Sequence, residues 1–149
     1  MKKIYPQPTP DAEWYRLVEQ ALYQSGYQFD ECISHYLVIT LNSYSTNSSI
    51  AQSVIAIDYL TGVQMQGLRG QQQLRDVGDQ CLLLSGLFPE RALKKRVSLE
   101  YFIHLGQVAY RQLADLEEKL VLDPILFNKL SQNFVGLMDV LHNMRHISD

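Results

Sequence analysis

The stretch VSLEYFIHLGQVAYRQLADLEEKLVLDPILFNKLSQNFVGLMDVLHNM, residues 97–144, decides the fold. Ser98 stands as a helix N-cap, with Val97 before it and Phe102 at the fourth helical position, the hydrophobic-staple arrangement. Leu99, Phe102, Ile103, Gly106, Ala109, Leu113, Leu116 and Leu120 then fall on one face, with Glu100, His104, Gln107, Arg111 and Glu118 on the other. The device repeats at Leu122, Asp123, Pro124 and Phe127, where Pro124 suits the first helical position. Phe127, Leu130, Phe134, Leu137, Leu141 and Met144 step by three and four, which predicts one continuous amphipathic helix. Such a stripe serves as a bundle seam or as an interface.

Working toward the N-terminus, the same grammar recurs more faintly. Residues 1–9 contain Pro6 and Pro8 just before Pro10 and read as an extended tail. Thr9 would cap a helix beginning at Pro10, with Trp14, Leu17, Val18, Ala21 and Leu22 on one face and Gly26 as its C-cap. Residues 28–45 carry Phe29, Ile33, Tyr36, Leu37, Thr40 and Tyr44 at helical spacing. Val38-Ile39-Thr40 is β-branched, but no alternation supports a strand. A second segment, Ser48 to Leu60, would pair with it as a helical hairpin. Residues 62–73, with three glycines and five glutamines, read as a polar loop or a weakly held helix. A helix resumes from Leu74 and ends near Gly86. A connector from Leu87 to Val97 follows, with one helical turn from Pro89. The expected architecture is an all-α, single-domain bundle of five to seven helices over residues 10–149.

Composition narrows the function. The chain has 149 residues, 46% hydrophobic and 19% charged, so it has the size and apolar content for a core of its own. The net charge of −3 is not that of a nucleic-acid backbone binder. Two cysteines, Cys32 and Cys81, make no disulfide framework, and the N-terminus lacks the apolar run of a signal peptide. A cytoplasmic protein with reduced thiols is expected, with no membrane span and no cofactor.

Residues 74–114 have distinctive wording: Gly78-Asp79, an apolar run, Gly86-Leu87-Phe88-Pro89-Glu90, then a helix with Tyr101, Gly106, Ala109 and Tyr110. This resembles an uncharacterised group of bacterial proteins with a Gly-Asp, apolar, Gly-Phe-Phe-Pro-Glu pattern followed by a tyrosine-rich Gly-x-x-Ala-Tyr helix. Leu87 replaces an aromatic of that pattern. The resemblance implies a bacterial origin and a shared fold, with no activity attached. Independently of it, Gly78 and Gly106 inside helices suggest a close crossing of their two helices, with Asp79 either pointing into it or capping a neighbouring chain end.

Candidate chemistry is sparse. Asp139, His142 and His146 share a helical face, and histidines four apart can bind a metal. No second ligand cluster accompanies them, so a solvated face explains them and no metal site is assigned. Cys32 and His35 lie one turn apart without an evident orienting group, and no catalytic set is assigned. His104 with Glu100 and Arg111 reads as a surface salt-bridge row. Arg91, Lys94, Lys95 and Arg96 form the one basic knot, a solvated connector or a weak phosphate contact.

The segment from Tyr36 to Ile57 has no Lys, Arg, Asp or Glu and carries tyrosine, serine and asparagine. Uncharged polar faces of this kind suit protein interfaces and small-molecule pockets, because charges are costly to desolvate. They also suit a buried helix whose hydroxyls bond to its own carbonyls. The leading expectation is a non-catalytic helical module that self-associates or docks a bacterial protein partner. Tyr36, Asn42, Tyr44 and Asp79, or the Phe127–Met144 helix, would form its surface. The alternative is a small-ligand sensor or helical enzyme lined by the same four residues. Nucleic-acid binding through residues 91–96 is third.

Overall fold

A computed structural model describes residues 10–45, 64, 67–90, 98–116 and 123–148. The protein is an all-α bundle. Among the described residues it has six helices: α1 (Pro10–Ser25), α2 (Glu31–Ser45), α3 (Gly67–Gly86), α4 (Leu99–Ala114), α5 (Pro124–Gln132) and α6 (Phe134–Ser148). Residues 1–9, the whole predicted segment at 48–60 and the connector at 91–97 lie outside the described residues.

The helix ends follow the capping rules. The Ser98 hydroxyl accepts from the Tyr101 N–H at 3.2 Å, and the Asp123 carboxylate accepts from the Ile125 N–H at 3.0 Å. Gly26 closes α1 with a positive φ of 75°, its N–H donating to the Leu22 carbonyl. Two boundaries differ from expectation. α4 stops at Ala114, with Asp115 as its C-cap. An acidic residue there faces the negative end of the helix dipole and has low helix propensity. The single helix expected over residues 124–144 is two, broken at Asn133. The Asn133 side-chain amide donates to the Lys129 carbonyl at 2.8 Å, so it competes with the backbone for the hydrogen bonds that would continue the helix. The 62–73 ambiguity resolves toward helix from Gly67 on, where φ is +74°.

α3 is the central helix. Every residue from Val77 to Gly86 is buried, which requires neighbours on all sides. α4 runs antiparallel along one side. Here a Cβ on Gly78 would lie 2.5 Å from the Tyr110 ring, and one on Gly106 would lie 2.9 Å from the Cys81 Cβ and 2.5 Å from the Phe134 ring. The two glycines let the backbones of α3 and α4 approach, and Tyr110 and Phe134 occupy the space. Gly86 makes the same kind of contact with Leu141 of α6. α1 lies against α6, α5 against α4, and α2 mainly against α1 with a smaller contact to α5.

The Phe127–Met144 stripe survives the break at Asn133, because its three-and-four stepping continues across it. Phe127, Leu130, Phe134, Leu137, Leu141 and Met144 are all buried in the core of this chain. The stripe is therefore a bundle seam, and the expectation that it offers a docking face is corrected.

Candidate functional site

The most polar point of the core is Asp79, in the middle of α3 and 4% exposed. One of its oxygens, Oδ1, accepts two phenolic hydrogen bonds: from Tyr36 of α2 at 2.5 Å and from Tyr110 of α4 at 2.7 Å. The other, Oδ2, lies 3.8 Å from Nε of Arg75, one turn earlier on α3. The Arg75 Nε–H also donates to the Tyr36 hydroxyl at 3.1 Å, and its guanidinium lies 5.1 Å from the centre of the Tyr36 ring. Edge-on contacts from Tyr36 to Tyr110 and to Phe127 of α5 complete the cluster. One carboxylate thus joins α2, α3 and α4.

Electrostatics at this point are unbalanced. Burial is the largest influence on Asp79 and raises its pKa from 3.8 to about 6; the two tyrosine hydroxyls and Arg75 pull it down but do not offset burial. Burial, then the Asp79 charge, likewise pushes the Tyr36 and Tyr110 phenols well above their ordinary range. The Tyr44 phenol is also raised, by burial and then by Asp79 and Asp76, while a hydrogen bond to Gln80 works in the opposite direction.

The four residues expected to form a surface therefore divide. Tyr36 and Asp79 are brought together, but inside the core; they are not a surface, because the close crossing of α3 and α4 draws them in. Asn42 and Tyr44 are half-buried on the next turns of α2. The charge-free half of α2 is largely core: Leu37, Val38, Thr40 and Leu41 are buried, and the Thr40 hydroxyl donates to the Tyr36 carbonyl at 2.8 Å. Two members of the cluster escaped the sequence reading. Arg75 is four residues before Asp79, a spacing that signals an ion pair on a helix. Tyr110 is 31 residues away, and only its place at the end of the Gly-x-x-Ala-Tyr pattern hinted at it.

The other candidates are dispersed. His35 shares a hydrogen bond with the Tyr15 hydroxyl and stacks on its ring, while Cys32 is exposed. Asp139 accepts from the Tyr27 hydroxyl at 2.7 Å, His142 is exposed, and the His146 side chain lies outside the described residues. Arg111 approaches Asp115 at 3.9 Å. No group of three potential metal ligands occurs among the described residues. Arg91, Lys94, Lys95 and Arg96 lie outside them. No helix among them is long and apolar enough to cross a membrane.

A second feature was not anticipated. Where the start of α1 meets the ends of α3 and α6, the described residues leave a groove of about 310 Å³. Trp14, Leu17, Leu87, Phe88 and Met144 line it, and an ion pair between Arg145 and Glu90, 3.3 Å apart, stands among its lining residues. Trp14 and Leu17, on the apolar face of α1 that their spacing marks, remain partly exposed. Compared with known families, known proteins and solved structures, the chain matches none.

Proposed function

We propose that the chain is a non-catalytic helical module that works by docking a protein segment in the groove between α1, α3 and α6. The supporting observation is the groove's make-up. Trp, Phe, Met and Arg are enriched at protein interfaces, and an apolar floor with a charged rim is the usual anatomy of a binding hot spot. Arg145 and Glu90 are partly exposed, with side chains 37% and 56% accessible. They offer a donor and an acceptor to the polar flank of an occupant whose large apolar side chains enter the groove. The occupant is accordingly a segment of a partner protein with one or two apolar anchors and charged or polar neighbours.

The chain's single tryptophan lies in that groove, so occupancy has a built-in reporter. Native mass spectrometry of the protein purified gently from its host should show a complex with one polypeptide of defined mass. Isolated from that complex, the polypeptide should shift Trp14 emission on rebinding. Leu17→Glu should abolish both effects while leaving helicity unchanged. A chain that carries no polypeptide, or a Leu17→Glu variant that retains it, would overturn the proposal.

The second reading, a small-ligand site lined by Tyr36, Asn42, Tyr44 and Asp79, rests on the buried carboxylate. A ligand there would have to displace Tyr36, Tyr110 or Arg75, which already engage both oxygens of Asp79. A thermal-shift screen in which no compound raises the melting temperature would remove it.

A further inference from the structure

We infer that Asp79 is the ionisable member of a latch that sets how firmly α2 is held against the α3–α4 pair. The inference stands on how α2 is attached. Its apolar face, Ile33, Leu37, Val38 and Leu41, enters the core, but its backbone packs mainly on α1 and only slightly on α5. Toward α3 and α4 its polar connections include a hydrogen bond between Tyr44 and Gln80 and the Tyr36 side chain, which alone bears directly on both Asp79 and Arg75. The Tyr36 hydroxyl donates to Asp79 and accepts from Arg75, and its ring meets Tyr110 edge-on.

α3 and α4 share the Tyr110 hydrogen bond to Asp79, but they also meet closely along Gly78 and Gly106 and so depend on that carboxylate far less. The groups that face Asp79 are Arg75 and Asp76 from α3, Tyr36 and Tyr44 from α2 and Tyr110 from α4. α5 contributes the Phe127 ring to the cluster, and α6 contributes Phe134 against Tyr110. Of the two carboxyls in this set, Asp79 is the buried one that the phenols and the arginine bond directly, whereas Asp76 is only partly buried; the phenols are raised and the arginine stays charged.

The direction follows from burial. A protonated Asp79 keeps its place at low desolvation cost, whereas an ionised one is held in the core by two hydroxyls and a guanidinium 3.8 Å away. Any opening that lets water reach Asp79 relieves the ionised form and not the protonated one. α2 is the element whose withdrawal opens that path, because Tyr36 is the cover it contributes. The latch therefore tightens toward pH 4 and loosens toward pH 6.

Hydrogen exchange of the full chain between pH 4.5 and 7.5, corrected for the intrinsic pH dependence of exchange, reads this directly. Protection of the α2 amides around residues 36–44 should fall as pH rises from 4.5 and level off near 6. The whole change is up to about 100-fold, since each pKa unit is tenfold in an equilibrium. Amides of α3 and α4 near Gly78 and Gly106 should change far less. In Asp79→Asn the α2 dependence should disappear. Tyr36→Phe, which leaves Asp79 bonded to Tyr110, should lower α2 protection at every pH; it remains informative if Asp79→Asn does not fold. Protection of α2 that is independent of pH in the native protein would overturn the inference. So would an equal slope in α2 and α4, which would mean global opening, or an unchanged α2 in Tyr36→Phe.

Discussion

The two sides of α3 are built on different principles. Toward α4 and α6, glycines admit the neighbouring backbones and large side chains fill what is left: Tyr110 over Gly78, Phe134 over Gly106, Leu141 over Gly86. Apart from the Tyr110 hydrogen bond to Asp79, cohesion there is shape and apolar area, which respond little to pH or salt. Toward α2 the contact adds a carboxylate, the Tyr36 phenol and a guanidinium. Cohesion there includes a charge removed from water, whose worth depends on its protonation state. The glycine-packed side should therefore fail through volume changes, and the polar side through changes of charge.

Phe134→Ala is the largest expected break on the first side. Phe134 is fully buried, against Gly106 and near Tyr110. Removing a buried ring typically costs about 3–5 kcal/mol. Denaturant unfolding checks this, and a loss below about 1 kcal/mol would show that the crossing is loosely filled.

Asp79→Asn tests the second side, with the opposite sign. Folding raises the Asp79 pKa from 3.8 to about 6, so between those values the folded chain binds more protons than the unfolded one. Its contribution to stability is thus fully present below the unfolded value and is lost as pH rises through the folded value. At about 1.4 kcal/mol per pKa unit, the accumulated cost at pH 7 is about 3 kcal/mol. Asparagine keeps an oxygen for the two tyrosines and carries no charge. The variant should gain about 1–3 kcal/mol at pH 7 and lose the decline in stability between pH 4 and 6. A destabilised variant that keeps the decline would mean the slope comes from other groups.

Gly106→Ala sharpens the contrast from the packing side. Its new methyl would sit 2.5 Å from the Phe134 ring. Overpacking of about 1–3 kcal/mol exceeds or matches the gain of roughly 1 kcal/mol from replacing a helical glycine, so thermal melting should show a net loss at every pH. A pH-dependent loss would blur the distinction between the two sides. Lys129→Ala is the smallest change. Lys129 pairs with Asp30 at the surface, linking α5 to the start of α2. Exposed pairs contribute about 0–1 kcal/mol, and this one should weaken further in high salt.

How much of this was legible follows from how local each signal is. The starts of α4 and α5 were plain in Ser98 and Asp123, whose caps act on residues two or three away. Gly78 and Gly106 pointed to a close crossing, because a glycine inside a helix lacks a local reason. The break at Asn133 was hidden because the apolar stepping runs through it unchanged. The central position of α3 was muted by its polar start, where Gln71 is buried despite its side chain. The Asp79 cluster was half visible: the aspartate stood out, but Tyr36 is 43 residues away and nothing local marks a phenol that will cross to another helix. The groove was invisible for the same reason, since its residues come from three helix ends.

The most direct test of the account is a carbon-13 NMR titration of the Asp79 side-chain carboxyl in the folded protein. An inflection near pH 6, shifted further when Tyr36 is replaced by phenylalanine, is the predicted result. An inflection at or below the ordinary 3.8 would contradict it, because the carboxylate would then be held in the core at a net gain and α2 would be fastened most firmly at neutral pH.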